Sequence, residues 1–227
     1  MKLLCLTAVA LAVALSGCAQ IQEKTGMDSK SVGAGVGAAA GCAVGAVGAR
    51  LMGKNPLAGC AVGAVAGGLI GFQKARQEEM DAAARAQQEA VAALANLPVS
   101  QQARMGEIKT VEVTATDKGS NETKKYQAFD SVSVDLPLST KGSPEYDTAI
   151  GKLKTLAERV ADERGSAIIE LAMTAADARA SKVVLETASA KTAKGSTVTV
   201  AKIADNTVPK GMQRVTVRAG KIQHTTV

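Results

Sequence analysis

Side chains able to make or break bonds are few in this chain, and they are scattered. His224 is the only histidine and lies three residues from the last position of the 227-residue sequence. No Ser-His or Cys-His pair and no multi-histidine metal site can be assembled around it. The adjacent carboxylates Glu78-Glu79 and Asp162-Glu163 fall in stretches of helical composition and are expected on exposed faces. Their expected role is solubilising charge, without acid-base work. No GxxxxGK[ST] phosphate loop occurs, because Gly53-Lys54 is followed by Asn55. These residues predict a protein that is not an enzyme, with no cofactor and no metal.

The cysteines carry a different chemistry. The start, "MKLLCLTAVALAVALSGC", has one Lys, an uncharged apolar run from Leu3 to Leu15 and then small residues, the pattern of a secretory signal over 1–17. Leu15, Ser16, Gly17 and Cys18 resemble the lipobox of bacterial lipoproteins. The resemblance implies a mature chain that begins at Cys18, acylated by chains such as palmitate and held at a membrane surface. Ala19 and Gln20 follow without the Asp that usually retains such proteins at the inner membrane, so the resemblance implies the outer membrane. On this reading Cys5 leaves with the signal, and Cys42 and Cys60 remain as thiols.

Those two cysteines occupy equivalent places in "GCAVGAV", which occurs at Gly41–Val47 and again at Gly59–Val65. The repeat belongs to two series of period four: Gly33, Gly37, Gly41 and Gly45, then Gly59, Gly63, Gly67 and Gly71. In a helix, residues four apart lie nearly above one another, so each series makes a groove without side chains that another backbone can enter. Eight glycines in a water-exposed helix would cost roughly 6 to 8 kcal/mol relative to alanine. In hydrocarbon, small residues instead favour close helix packing. The uncharged runs between Lys30 and Arg50 and from Leu57 to Phe72 would be about 28 Å and about 24 Å long as helices, near the lower limit for a span of the thin outer membrane. Arg50 and Lys54 are interfacial anchors, and Gly53 and Asn55-Pro56 supply the turn.

This pattern resembles the glycine-zipper two-helix domain of bacterial outer-membrane lipoproteins, over about residues 31–75. The alternative is a flexible Gly-Ala linker, although linkers lack the Val and Leu spaced here. Were residues 53–56 the turn of a hairpin, Cys42 and Cys60 would be offset by roughly 10 Å along its axis. That exceeds the ~7 Å limit between the Cα atoms of a disulfide, which leaves small apolar filler, or pairing between chains, as their roles.

Residues 76–97 are rich in helix formers and stop before Pro98. Met80, Ala84, Val91 and Leu94 make a thin stripe broken by Gln87, which predicts a solvated stalk continuing the second zipper segment. Beyond Pro98 the period changes to two. Val111, Val113 and Ala115, and later Val132, Val134 and Leu136, alternate with polar residues as half-buried strands. Ser143-Pro144 opens a helix whose buried stripe is Tyr146, Ile150, Leu153, Ala157 and Val160, ending at Gly165. Ile169, Leu171 and Met173 predict a strand, Ala175 to about Ala190 a helix, and Val198-Val200 and Val215-Val217 two closing strands. The expected fold class is α+β: a glycine-zipper transmembrane helical hairpin, then a small C-terminal domain over 98–227 with one mixed sheet and helices on one face. Residues 18–30 would be the lipidated linker.

Within that domain "FDSVSVDLP", "RASKVV" and "KGMQRVTV" resemble segments of OmpA-like peptidoglycan-binding domains. The resemblance implies that Arg179 contacts a diaminopimelate carboxylate, as guanidinium-carboxylate pairing would require. "MTAADARA" departs from the pattern TDxxGxxxxNxxLSxxRA that should precede this Arg. Ala175 stands at its acidic position, so the domain would be a degenerate member, or Arg179 a solvated helix residue. From Thr174 to Val227 there are nine Lys and Arg against three Asp and Glu, a basic surplus suited to an anionic surface or to a solvated face. Nucleic acid is not expected as a partner of an exported chain without stacking aromatics.

The expected function is that of a lipid-anchored outer-membrane protein, with its C-terminal domain in the periplasm. Its partners would be membrane lipid and other copies through the zipper helices, and its role envelope structure or integrity. Tethering to peptidoglycan and an oligomeric pore are the alternatives.

Overall fold

The computed structural model describes residues 49, 56–116, 121, 123–220 and 225–226. The signal sequence, Cys18, the linker, the first glycine series Gly33, Gly37, Gly41 and Gly45, Cys42, the hairpin turn and His224 lie outside the described residues. Two compact units divide the chain: Met1–Ala75 with Ala115–Lys124 and Thr225–Val227, and Arg76–Thr114 with Lys125–His224.

Helix α1, Pro56–Ala93, is 38 residues long and carries the second glycine series in its first turns. Pro56 starts it where a missing N–H costs nothing. Among the described residues, no helix is long and apolar enough to cross a membrane. The apolar run in α1 gives way to "QKARQEEMD" after Phe72.

In the larger unit, strands β1 (Arg104–Thr116), β2 (Thr123–Pro137), β3 (Ser166–Met173), β4 (Thr187–Lys191), β5 (Thr197–Ala204) and β6 (Met212–Ala219) lie in the order β4-β5-β3-β6-β2-β1. β3 runs parallel to β5 and antiparallel to β6, which is antiparallel to β2. The sheet is therefore mixed and the class α+β, as expected. In the smaller unit a two-residue strand, β7 (Thr225–Thr226), pairs in parallel with the end of β1.

Helix α2, Pro144–Arg164, follows its sequence signals closely. The Ser143 hydroxyl accepts from the Tyr146 N–H, and Gly165 closes the helix in the left-handed region at φ 82°. Tyr146, Leu153, Ala157 and Val160 are buried with Val132, Val134 and Leu136 of β2 and Val215 and Val217 of β6 in one core. Burial raises the Tyr146 phenol to about 12, and its hydroxyl donates to Gln213 of β6. Because Cβ atoms alternate along a strand, the opposite sheet face carries Asp135, Arg214, Arg218 and Glu170. Arg214 forms a double hydrogen bond with Asp135 at 2.8 and 3.0 Å. Arg218 donates to Glu170 at 3.1 Å. Covered by these long side chains, Ser131 and Asp135 are buried too, so this part of β2 is enclosed on both faces instead of one.

Three expectations change. The segment expected as a solvated stalk is a core helix: Ala83, Ala90 and Leu94 are fully buried. Gln87, which interrupts the stripe, donates to the Gly106 carbonyl at 3.0 Å and the Ser133 carbonyl at 2.9 Å. The approach is close at this point, where a Cβ on Gly106 would stand 2.7 Å from the Ser133 carbonyl oxygen.

Glu79, expected as exposed charge, has a side chain only 2 % exposed and is bonded to the equally buried Arg164. The Arg76 guanidinium lies 2.7 Å from it. Of the second carboxylate pair, Asp162 accepts from Thr192 at 2.5 Å and Glu163 from Arg159 at 2.9 Å. Short loop and helix contacts, not solubility alone, occupy them.

The helix expected over Ala175 to about Ala190 is the six-residue α3, Ala175–Ala180. Thr174 caps it, but Ser181 leaves helical geometry and Lys182 adopts φ 51°. Thr187–Lys191 then alternates polar residues with alanine and becomes the edge strand β4, with the Ser189 and Thr199 hydroxyls bonded across the ladder at 2.9 Å.

Removing the carboxylate from between two buried guanidinium groups leaves uncompensated charge. Glu79→Ala is expected to lower the unfolding free energy of the larger unit by about 3–5 kcal/mol, read as a fall in denaturant midpoint. A loss below about 1 kcal/mol, the value of an exposed pair, would show that the cluster is hydrated.

Candidate functional site

At one end of the sheet, the larger unit has a cleft of 630 Å³. Its walls come from separate elements. Ser100 and Arg104 come from the short helical turn Val99–Gln101 and the start of β1, and Leu138 and Ser139 from the turn that ends β2. Asp177 and Ser181 come from α3 and its cap, and Lys210 and Gly211 from the turn between β5 and β6.

Backbone bonds hold these walls in place. The Leu138 N–H donates to the Gly211 carbonyl at 2.9 Å, joining the end of β2 to the β5–β6 turn. The Asp177 carboxylate accepts from the Gly211 N–H at 3.0 Å and from the Thr174 hydroxyl at 2.7 Å, joining α3 to the same turn. These bonds, with the Lys210 ammonium nearby, hold the Asp177 carboxyl below its ordinary range. Asp177 is thus a positioning group for the cleft wall, held through its Oδ2. A second, smaller groove of 310 Å³ lies between α1 and α2 and is bridged by the Lys152–Glu89 ion pair at 2.9 Å.

Arg179 sits on α3 and is exposed. Asp177 and Ser181 face the cleft from positions i and i+4 of one turn. Arg179, two residues from each, therefore projects from the other side of the helix and is not among the cleft residues. The fragment that carried the OmpA-like resemblance also loses its helix: α3 ends at Ala180, and Lys182 to Glu186 are irregular. The other two fragments do form neighbouring strands, "FDSVSVDLP" in β2 and "KGMQRVTV" leading into β6.

Gly59, Gly63, Gly67 and Gly71 all fall on α1, at the four-residue spacing that stacks them along one side. Sequence reading did not find Arg104 and Lys210. Arg104 stands in no motif, Lys210 was read only as the first residue of "KGMQRVTV", and they are 106 positions apart in the chain; only the sheet order brings β1's start and the β5–β6 turn to the same end.

Asp177 supplies a test of the cleft's construction. Its folded pKa is depressed, so its contribution to stability is present above the unfolded carboxylate value of about 3.9 and is lost as pH falls through the lower folded value. Asp177→Asn is expected to be less stable than the parent at neutral pH, with the difference closing between about pH 5 and pH 2 in denaturant titrations. A pH-independent difference would show that the carboxylate charge plays no part.

Among known proteins, residues 1–75 match the family model described as YMGG-like Gly-zipper. No curated protein and no solved structure matches the chain. The N-terminal part of this chain is thus similar to the YMGG-like glycine-zipper family, on the same stretch that holds both glycine series.

Proposed function

We propose that this protein is a non-enzymatic, lipid-anchored component of the bacterial outer membrane that supports envelope structure or integrity. In this reading Cys18 is acylated after removal of residues 1–17, and the zipper hairpin over 31–75 inserts in the bilayer. Copies associate there through the faces made by Gly33, Gly37, Gly41, Gly45, Gly59, Gly63, Gly67 and Gly71, and the α+β domain stands in the periplasm. The single observation that carries the reading is the YMGG-like Gly-zipper match over residues 1–75. The physical support is that a glycine-lined helix face is costly in water and favourable for backbone contact in lipid. Both apolar runs are short, which favours a thin bilayer and close pairing of the helices.

Tethering to peptidoglycan through Arg179 is the second reading. It draws support from the two OmpA-like fragments that form β2 and β6, and is weakened by the six-residue α3. An oligomeric pore would use the same zipper contacts.

Fractionation of the Cys18→Ala protein tests the main reading. The expected outcome is retention in the membrane fraction by the hairpin alone, with cross-linked oligomers that Gly37→Leu and Gly63→Leu abolish. Release of Cys18→Ala into the periplasm would defeat insertion. Retention of the parent on isolated peptidoglycan, lost in Arg179→Ala, would favour tethering. Dye leakage from liposomes would favour the pore.

A further inference from the structure

The cations of the larger unit are not distributed evenly with respect to their partners. On the open sheet face and the helix surfaces they are paired, as in Arg214 with Asp135, Arg218 with Glu170 and Arg159 with Glu163. Arg104, Lys141, Arg179, Lys182 and Lys210 make neither a salt bridge nor a side-chain hydrogen bond among the described residues. Arg179 stands apart on the other side of α3, and the remaining four lie in the wall of one cleft or beside it in the chain. Arg104 and Lys210 line the cleft from different walls. Lys141 lies two residues past the lining Ser139, and Lys182 directly follows the lining Ser181.

The geometry points to a binding site for an anionic sugar in this cleft, its carboxylate held between Arg104 and Lys210 and its hydroxyls by Ser100, Ser139 and Ser181. Each part of the ligand follows from a part of the wall. Guanidinium and ammonium groups on separate walls suit a carboxylate placed between them. Serine hydroxyls both donate and accept, as sugar hydroxyls do. A volume of 630 Å³ is within the usual range of roughly 300–1,000 Å³ for small-molecule sites, and far exceeds what a bare anion fills. The lining holds no aromatic ring, so a ligand recognised by stacking, such as a nucleobase, has no platform. Asp177, the carboxylate in the wall, accepts from Gly211 and Thr174 through its Oδ2 and has the Lys210 ammonium nearby, so Arg104 is the cleft cation without a carboxylate beside it. Arg179 has no part in this site, since it projects from the far side of α3.

The choice of a sugar as occupant rests on the envelope reading, whereas the cation pair and the hydroxyls stand on the cleft itself. The full-length protein in detergent micelles would be titrated with glucuronic acid, N-acetylmuramic acid, neutral N-acetylglucosamine and inorganic phosphate, followed by ligand-observed NMR. Both acids are expected to bind with Kd of about 1 mM or tighter, about ten-fold or more tighter than the neutral sugar and phosphate. Binding should weaken as salt is raised, because the cations are near the surface. Arg104→Gln and Lys210→Gln should each reduce acid binding by about ten-fold, the effect of losing one charge-assisted contact. Lys154→Gln, on the exposed side of α2, should leave it unchanged.

Failure of both acids to bind would overturn the proposal, and so would equal binding of the neutral sugar or unchanged binding in the paired Arg104→Gln/Lys210→Gln variant. Phosphate binding as tightly as the acids would reduce the cleft to a general anion site. Loss of binding to phosphatidylglycerol vesicles in the same paired variant, without sugar binding, would reassign it to a lipid surface. The Cys18→Ala protein carries the same cleft, so its partition between membrane and periplasm leaves the sugar titration independent of the anchoring result.

Discussion

Placement of helix α1 against the sheet depends on polar side chains that are buried with their partners. The helix face that enters the core is mostly alanine, with Ala83 and Ala90 fully buried, and the large Leu94 side chain is buried only just past the helix end. Gln87 and Glu79 fix the register along its length. If the helix slipped by a turn, the Gln87 amide would lose two strand carbonyls and the Glu79 carboxylate would lose Arg164. Each would be left desolvated without compensation. The small alanines let the helix come close, and the polar bonds select one register out of many.

A similar division of labour runs through the sheet. One face is aliphatic and meets α2 and α1, while the other is held by cross-strand ion pairs between β2, β6 and β3. Arg214 and Arg218 are raised above their ordinary range by the carboxylates they bond, so this face stays closed by its own charges. Of the basic groups left over, Arg104 and Lys210 lie where β1 begins and in the turn that leads into β6. A cleft walled by turns from four elements can carry charge there without disturbing the core, because its scaffold consists of backbone bonds and the engaged Asp177.

The zipper segment follows the opposite physics. Its glycines contribute nothing to a water-excluded core, and their merit is access to backbone, which is useful only where another helix or lipid is the neighbour. The larger unit brings together conventional aliphatic packing and a polar cleft. On the proposed function, a chain with these two parts would join a lipid-directed surface to a water-directed one.

Several elements could be read from the residues alone because their signals are local. Ser143-Pro144 and Gly165 bracket α2, the alternation of Val132, Val134 and Leu136 marks β2, and the four-residue glycine spacing marks the zipper. Other features depend on residues far apart in sequence. Gln87 looks like a defect in a stripe until Gly106 and Ser133 are seen beneath it, and Glu79 looks like surface charge until Arg164, 85 positions later, reaches it. β4 has too little apolar content to announce itself and exists because β5 offers a ladder. The cleft was invisible for the same reason. Local sequence specified period, caps and the glycine-zipper segment, because those depend on neighbours within a turn or two of chain. Tertiary structure alone decided which polar groups were buried and which cations met, because that depends on the order in which strands lie side by side.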